Sequence, residues 1–245
     1  MIKYIKNFFY PLKKTYQQIF NYPKFLISSK DFGDYNTYWD DKRGVDLGTL
    51  SDWQKNRADF VLKHIKELKK VSILDIGCGD GSVLKYLKKN ADIFQGFGVD
   101  TSSVALKKAN ENGIKTFLGD ASNPQFFTRI PDVDFILLFE ILEHIVNSEE
   151  ILQLSLKKAK KSVFFSFPNT GYFIYRLRLL FGKFPIQWRV HPGEHVRFWT
   201  NADLEWWLNA LGYKNYVIYY YRGIPILNKI LPSLFAAGFV VNLKK

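Results

Sequence analysis

Residues Val71–Leu87, VSILDIGCGDGSVLKYL, read as a strand, a tight turn and a helix. Val71 to Ile76 is a short apolar, β-branched run, Gly77-Cys78-Gly79-Asp80-Gly81 is a glycine-rich turn, and Val83, Leu84 and Leu87 recur at helical spacing. Glycines at 77, 79 and 81 let the backbone take positive φ and come close to a ligand, while free N–H groups at the helix start face whatever lies across the strand end. The dinucleotide pattern G-x-G-x-x-G fails, because position 82 is serine. The loop alone therefore fits either a nucleotide site or a plain strand-to-helix connection.

Spacing adds what the loop lacks. Gln95–Val99 reads as a second strand and ends at Asp100, where an acid can accept hydrogen bonds from a ribose diol. A third strand, Ile114–Leu118, stops at Gly119-Asp120-Ala121. Asp75, Asp100 and Asp120 thus stand at or near successive strand ends. This series resembles the class I S-adenosylmethionine-dependent methyltransferases over roughly residues 71–220. The resemblance implies a seven-stranded, mostly parallel Rossmann-like α/β sheet with a C-terminal antiparallel hairpin and helices on both faces. It also implies S-adenosylmethionine as cofactor, with Asp75 near its methionine end, Asp100 at the ribose and Asp120 at the adenine. Gly77, Cys78, Gly79, Thr101, Ala121 and Glu140 complete the cofactor set that it implies.

Composition limits the remaining classes. The chain is 47% hydrophobic, has no apolar run long enough to span a bilayer and shows no signal-peptide pattern, so a soluble cytoplasmic domain is expected. The lone Cys78 excludes an internal disulfide framework and reads as a small residue in the turn. The net charge is +12, and residues 1–30 hold six lysines and no acid. Ile2, Ile5, Phe9, Leu12, Tyr16 and Ile19 recur at spacings of three and four among lysines and glutamines, an amphipathic helical pattern interrupted by Pro11. Such a face either packs on its own domain with lysines in water or lies on an anionic surface, placing the protein peripherally at the inner membrane. Nothing resembles a nucleic-acid module. Residues 1–50 are read as an N-terminal helical and lid extension, and 51–245 as the main domain. Trp39 and Arg43 lie in a Tyr-Trp…Arg stretch that, in the family, folds over the cofactor; an anchored surface loop is the other reading.

Asp52–Leu68 reads as the helix before the first strand, with His64 as a surface histidine. Val133–Phe139 is a continuous apolar strand that delivers FEILEHI. A helix starting near Glu140 would put Glu140, Glu143 and His144 on one face at the strand's carboxyl end. Two carboxylates and an imidazole suit a hard divalent cation or acid–base work on a hydroxyl; equally, they frame the cofactor pocket. Ser162–Phe167 is the fifth strand, and residues 170–192 form an aromatic, basic insertion above the sheet's carboxyl edge that shapes an acceptor pocket or a lid. Thr200 or Asn201 caps a helix that ends at Gly212. Tyr213–Tyr221 and Phe239–Leu243 supply the last two strands, joined by the apolar segment Arg222–Phe235.

His195–Tyr213 resembles the ubiquinone-pathway O-methyltransferases and MetW-like proteins, and more loosely the small-RNA terminal 2′-O-methyltransferases. In the last group, Glu-x-x-Glu-His plus a later histidine bind magnesium, and the matching positions are Glu140, Glu143, His144 and His195. The chain has few of that group's other features, so an RNA substrate does not carry over. The expected reaction is methyl transfer to a hydroxyl on a small-molecule, glycan or lipid-linked acceptor. His195, assisted by His144 and Glu143, is expected either to remove the proton or to hold Mg²⁺. A base role would give a rate rising through pH ~6–7. The alternative is a MetW-like regulatory partner of another biosynthetic enzyme that keeps the cofactor site without catalysis.

Overall fold

The structure is a computed structural model, which describes residues 13–22, 35–42, 48–187 and 192–245. Arg43 and most of the amphipathic N-terminal pattern lie outside the described residues. The helices are α1 (13–20), α2 (Tyr35–Lys42), α3 (Asp52–Ile65), α4 (Ser82–Asn90), α5 (Ser103–Glu111), α6 (Ser148–Lys158), α7 (Phe173–Leu180), α8 (Asn201–Ala210), α9 (Leu227–Ile230) and α10 (Pro232–Phe235). The strands are β1 (Val71–Ile76), β2 (Ile93–Asp100), β3 (Lys115–Leu118), β4 (Val133–Phe139), β5 (Ala159–Pro168), β6 (Tyr216–Tyr221) and β7 (Gly238–Lys244).

One seven-stranded sheet runs in the order β3-β2-β1-β4-β5-β7-β6. The pairs from β3 through β5 are parallel, and β7 is antiparallel to both β5 and β6, as expected for the closing hairpin. The order reverses between β1 and β4, which opens a crevice at their carboxyl ends.

Strand β4 shows why the sheet is covered on both faces. Phe135, Leu137 and Phe139 pack into one apolar cluster with Phe60 and Val61 of α3 and Leu84 and Leu87 of α4. The alternating Ile136 and Leu138 enter the opposite cluster with Ile151 and Leu152 of α6 and Leu204, Trp207 and Leu208 of α8. Ile136, Leu137 and Leu138 are fully buried, each contributing about 1.5–3 kcal/mol relative to exposure. Capping boxes fix two helix starts: Ser51 with Gln54 at α3, and Thr200 with Asp203 at α8.

Three expectations are corrected. No helix begins at Glu140: its φ is +56, outside helical backbone, and the chain makes only a 3₁₀ turn over Leu142–His144. Strand β6 starts at Tyr216 rather than Tyr213, because the Tyr213 N–H is spent on Leu208 O at the end of α8. His64 is half-buried, its ring against Phe60 and Phe164 and its Nδ1 2.8 Å from Phe60 O. Among the described residues no helix is long and apolar enough to cross a membrane.

Candidate active site

The glycine turn is stitched to β2: the N–H groups of Gly77 and Cys78 both donate to Val99 O, at 2.8 and 2.9 Å. Two of its glycines are obligatory for space as well as for conformation. A Cβ at Gly77 (φ +77) would meet Ile141 Cδ1 at 2.1 Å, and one at Gly79 (φ +54) would meet the Trp39 ring at 2.5 Å. Gly79 N–H donates to Asp100 Oδ2 and Ser102 N–H to Oδ1, each at 2.9 Å. Each carboxylate oxygen is thereby oriented and keeps lone-pair capacity for a diol. Burial raises the Asp100 pKa while these backbone donors hold it down.

Asp75, at the end of β1, is buried; that burial pushes its carboxyl up to about 8, although the Arg57 charge opposes the shift. Asp120 is exposed, with Oδ1 accepting from Ser122 N–H at 2.8 Å, and the neighbouring Ala121 is buried. Thr101 is exposed beside Asp100. Parallel pairing of β1, β2 and β3 aligns the three acidic strand ends along one edge. Cys78 is buried and its thiol pushed up by that burial, consistent with a small residue rather than a nucleophile. Asp80, which the sequence did not single out, ties the loop down by accepting from Ser82 N–H and Gly48 N–H.

Helix α2 covers this loop. Trp39 is buried against Gly79, and Asn36 Oδ1 accepts from Ser102 Oγ at 2.9 Å, docking α2 at the start of α5. Trp39 thus anchors α2 on the glycine turn, and Arg43 lies outside the described residues.

On the acceptor side, Glu140 turns back on the sheet. Its Oε1 accepts from Ser166 Oγ at 2.9 Å and pairs with Arg57 Nη1 at 2.8 Å, while its own N–H donates to Ser166 Oγ at 3.1 Å. A left-handed glutamate is a strained residue, and these bonds hold it in that conformation. Burial discourages charge on Arg57, but Tyr221, Glu140 and Glu143 around it outweigh that, so it stays cationic.

Glu143 is buried with neither carboxylate oxygen partnered among the described residues. Burial first, and the Glu140 charge second, push its carboxyl well above the usual range. His144 Nδ1 lies 2.6 Å from Glu194 O; a carbonyl only accepts, so Nδ1 carries the proton and Nε2 keeps its lone pair. The His195 ring stands edge-on to His144 with centroids 4.7 Å apart, and its Nδ1 is buried and unpartnered among the described residues. One ligand atom each from Glu143, His144 and His195 lie within 4.8 Å of one another. Glu140, the fourth ligand position that the resemblance implies, is not in this group and is engaged by Arg57 and Ser166 while neighbouring Glu143. The segment carrying His195 is pinned from both sides: Val196 and Arg197 N–H donate to Glu143 O, and the Arg197 fork grips Glu149 at 2.6 and 2.7 Å.

Burial and the neighbouring His144 lower the His195 pKa to about 4. The expected rise in rate through pH 6–7 assumes an ordinary imidazole, whereas burial shifts His195 below that range and favours a neutral ring. Arg57 and Ser166 were missed in the sequence, yet both left a signal. Arg57 sits four residues after Trp53 and three and four before Phe60 and Val61, a charge on an apolar helix face, and Ser166 interrupts the apolar run of β5.

Comparisons with known proteins agree with this geometry. Residues 45–217 match the family model described as methyltransferase domain. The chain is 33% identical over 107 residues to an Arabidopsis thaliana small RNA 2′-O-methyltransferase, a match that covers 39% of this chain and 11% of the relative. It is 25% identical over 149 residues to a Hydrogenovibrio crunogenus ubiquinone biosynthesis O-methyltransferase, covering 59% of this chain and 61% of that one. Among solved structures, the small RNA methyltransferase HEN1 superposes with a TM-score of 0.59 at 26% identity, over 78% of this chain and 25% of HEN1. The chain thus spans about a tenth to three fifths of the curated relatives it matches here. With the matched region spanning the glycine turn, the acidic strand ends and the Glu143 group, the chain belongs to the methyltransferase domain family of class I S-adenosylmethionine-dependent methyltransferases.

Proposed function

We propose that the chain transfers a methyl group from S-adenosylmethionine to a hydroxyl oxygen of a small-molecule, glycan or lipid-linked acceptor. The observation that carries this reading is the fully buried, unpartnered Glu143 carboxyl grouped with two imidazoles beside the cofactor edge. Methyl displacement at a sulfonium needs an aligned nucleophile, and a hydroxyl is a poor one until its proton is removed or its pKa lowered. Arg57, Ser166 and the left-handed Glu140 form one bonded group next to Glu143, and Trp39 of α2 packs over the glycine turn.

The donor set also fits a divalent cation: a Glu143 carboxylate oxygen, His144 Nε2 and a His195 ring nitrogen. Such an ion would act as a Lewis acid on the acceptor oxygen. Two imidazoles and one carboxylate suit Mn²⁺ or Zn²⁺ better than the Mg²⁺ expected from the resemblance, since Mg²⁺ prefers oxygen ligands. Two of the relatives are named as O-methyltransferases, which supports oxygen as the acceptor atom.

The test is methyl transfer from labelled cofactor to catechol-type, glycan and RNA acceptors, with and without chelator, and with Mn²⁺, Zn²⁺ or Mg²⁺ restored. The expected result is an O-methylated product and a loss of about 10²-fold or more in turnover for His195→Ala, with cofactor affinity unchanged. An N-methylated product, or full turnover by His144→Ala and His195→Ala proteins in chelator, would overturn the reading.

A further inference from the structure

Three segments meet at the carboxyl edge of the sheet beside the Glu143 group. Helix α7 leaves the end of β5, and α9 and α10 leave the end of β6. They are joined where Asn169 Nδ2 donates to Ser233 O and Ala236 O, at 3.1 and 2.8 Å, and where the Phe173 and Phe235 rings meet. The third segment, α1, is clasped to α7 by Arg178. This fully buried guanidinium donates through Nη1 to the carbonyls of Gln18, Ile19 and Asn21, capping the end of α1. Phe20 packs on Phe181 with ring centroids 5.0 Å apart.

The outer surface of this assembly is apolar where a soluble face would be polar. Leu180 is 76% exposed, and Phe181 and Phe184 stand out beside it; across the assembly Ile226 and Ile230 are both 71% exposed. Ile226 is also held at φ +71, a costly backbone for a β-branched residue. Charge is equally one-sided. Residues 13–22, 171–187 and 222–237 contain no Asp or Glu, yet they carry Lys13, Lys14, Arg176, Lys183 and Lys229, with Arg222 paired to Asp52 at 3.0 Å. Isolated exposed apolar residues need no explanation, but a basic-rimmed group of them on one edge does.

We infer that this face docks on an anionic lipid bilayer. The aliphatic and aromatic tips of α7 and of the α9 turn would enter the headgroup boundary, and the lysines would meet lipid phosphates. Docking sets the acceptor entrance against the membrane, because Phe184 contacts Phe198 at 5.5 Å between centroids and Phe198 contacts His195 at 6.3 Å. That narrows the acceptor toward lipid-borne hydroxyls, a step that rests on the methyl-transfer reading, whereas vesicle binding itself does not.

The experiment is co-sedimentation of the full chain with phosphatidylcholine vesicles, plain or containing about one third phosphatidylglycerol. Binding to the anionic vesicles only, weakening as salt shortens the screening length, is the expected result. The double variant Leu180→Glu/Ile230→Glu, at two exposed positions, should bind at least about tenfold more weakly with an unchanged circular dichroism spectrum. Lys13→Glu/Lys14→Glu should lose much of the salt dependence. Absence of wild-type binding, or equal binding by the Leu180/Ile230 variant, overturns the inference. So does a wild-type dimer in sedimentation velocity that this variant converts to monomer, which would make the face a contact between copies.

Discussion

Replacing Arg57 with methionine keeps most of the side-chain volume and removes the buried cation between Asp75 and Glu140. The Arg57 side chain is 8% exposed and that of Glu140 28%, with Nη1 and Oε1 2.8 Å apart. Breaking a buried pair from one side costs about 3–5 kcal/mol because the remaining charge is stranded, and the partial access of water to Glu140 places this case near 3. In a domain of this size that loss lowers the thermal midpoint by about 6–12 °C. Circular dichroism melts at neutral pH, without cofactor, measure it. Arg57→Met/Glu140→Gln should recover at least half of the loss, since no charge is then left unpaired at Glu140. A loss below about 1 kcal/mol, or a double variant no more stable than the single one, would refute the placement of Arg57 as the counter-charge.

Glu143 and Asp75 both have pKa values raised by burial, so the folded state holds protons that the unfolded state releases, and stability falls as pH rises from about 4 toward 8. Glu143→Met should raise the stability of chelator-treated protein at pH ~8 by about 1–2 kcal/mol and flatten this slope; lower stability would show that Glu143 is satisfied in the metal-free fold. A cationic ammonium at the methionine end would draw Asp75 from its pKa of about 8 into the ionised form. Cofactor binding near pH 7 should then release close to one proton, read as calorimetric heats that change with buffer ionisation enthalpy, whereas identical heats in all buffers would contradict it. Gly79→Ala places a Cβ 2.5 Å from the Trp39 ring at φ +54, so it should displace Trp39 and cost at least about 1 kcal/mol; unchanged tryptophan fluorescence and stability would refute the close contact.

What the sequence made legible follows period and punctuation. The apolar run Val133–Phe139 became β4 at those same bounds, and the glycine turn with Asp75, Asp100 and Asp120 came out at adjacent strand ends. The aromatic and β-branched runs near the carboxyl end supplied the last two strands, within a few residues, and their antiparallel pairing is the one the resemblance implied. Helical spacing misread FEILEHI, because a left-handed Glu140 is set by Ser166 and Arg57, partners 26 and 83 positions away that no local pattern reveals. The same long-range bonds engage Glu140 with Arg57 and Ser166 although it still neighbours Glu143, and the group of ligand atoms that come together is Glu143, His144 and His195. His195 was placed correctly beside His144, but its depressed pKa depends on burial and ring contact, which follow from the tertiary fold.

Cofactor binding at the carboxyl ends of β1, β2 and β3 is tested most directly by isothermal titration calorimetry with S-adenosylhomocysteine against wild type and Asp100→Ala, each checked for folding. One site per chain is predicted, weakened about ten- to a hundredfold by the substitution through loss of charge-assisted hydrogen bonds. The absence of heat from folded wild-type protein at high micromolar ligand, or equal affinity in Asp100→Ala, would contradict it.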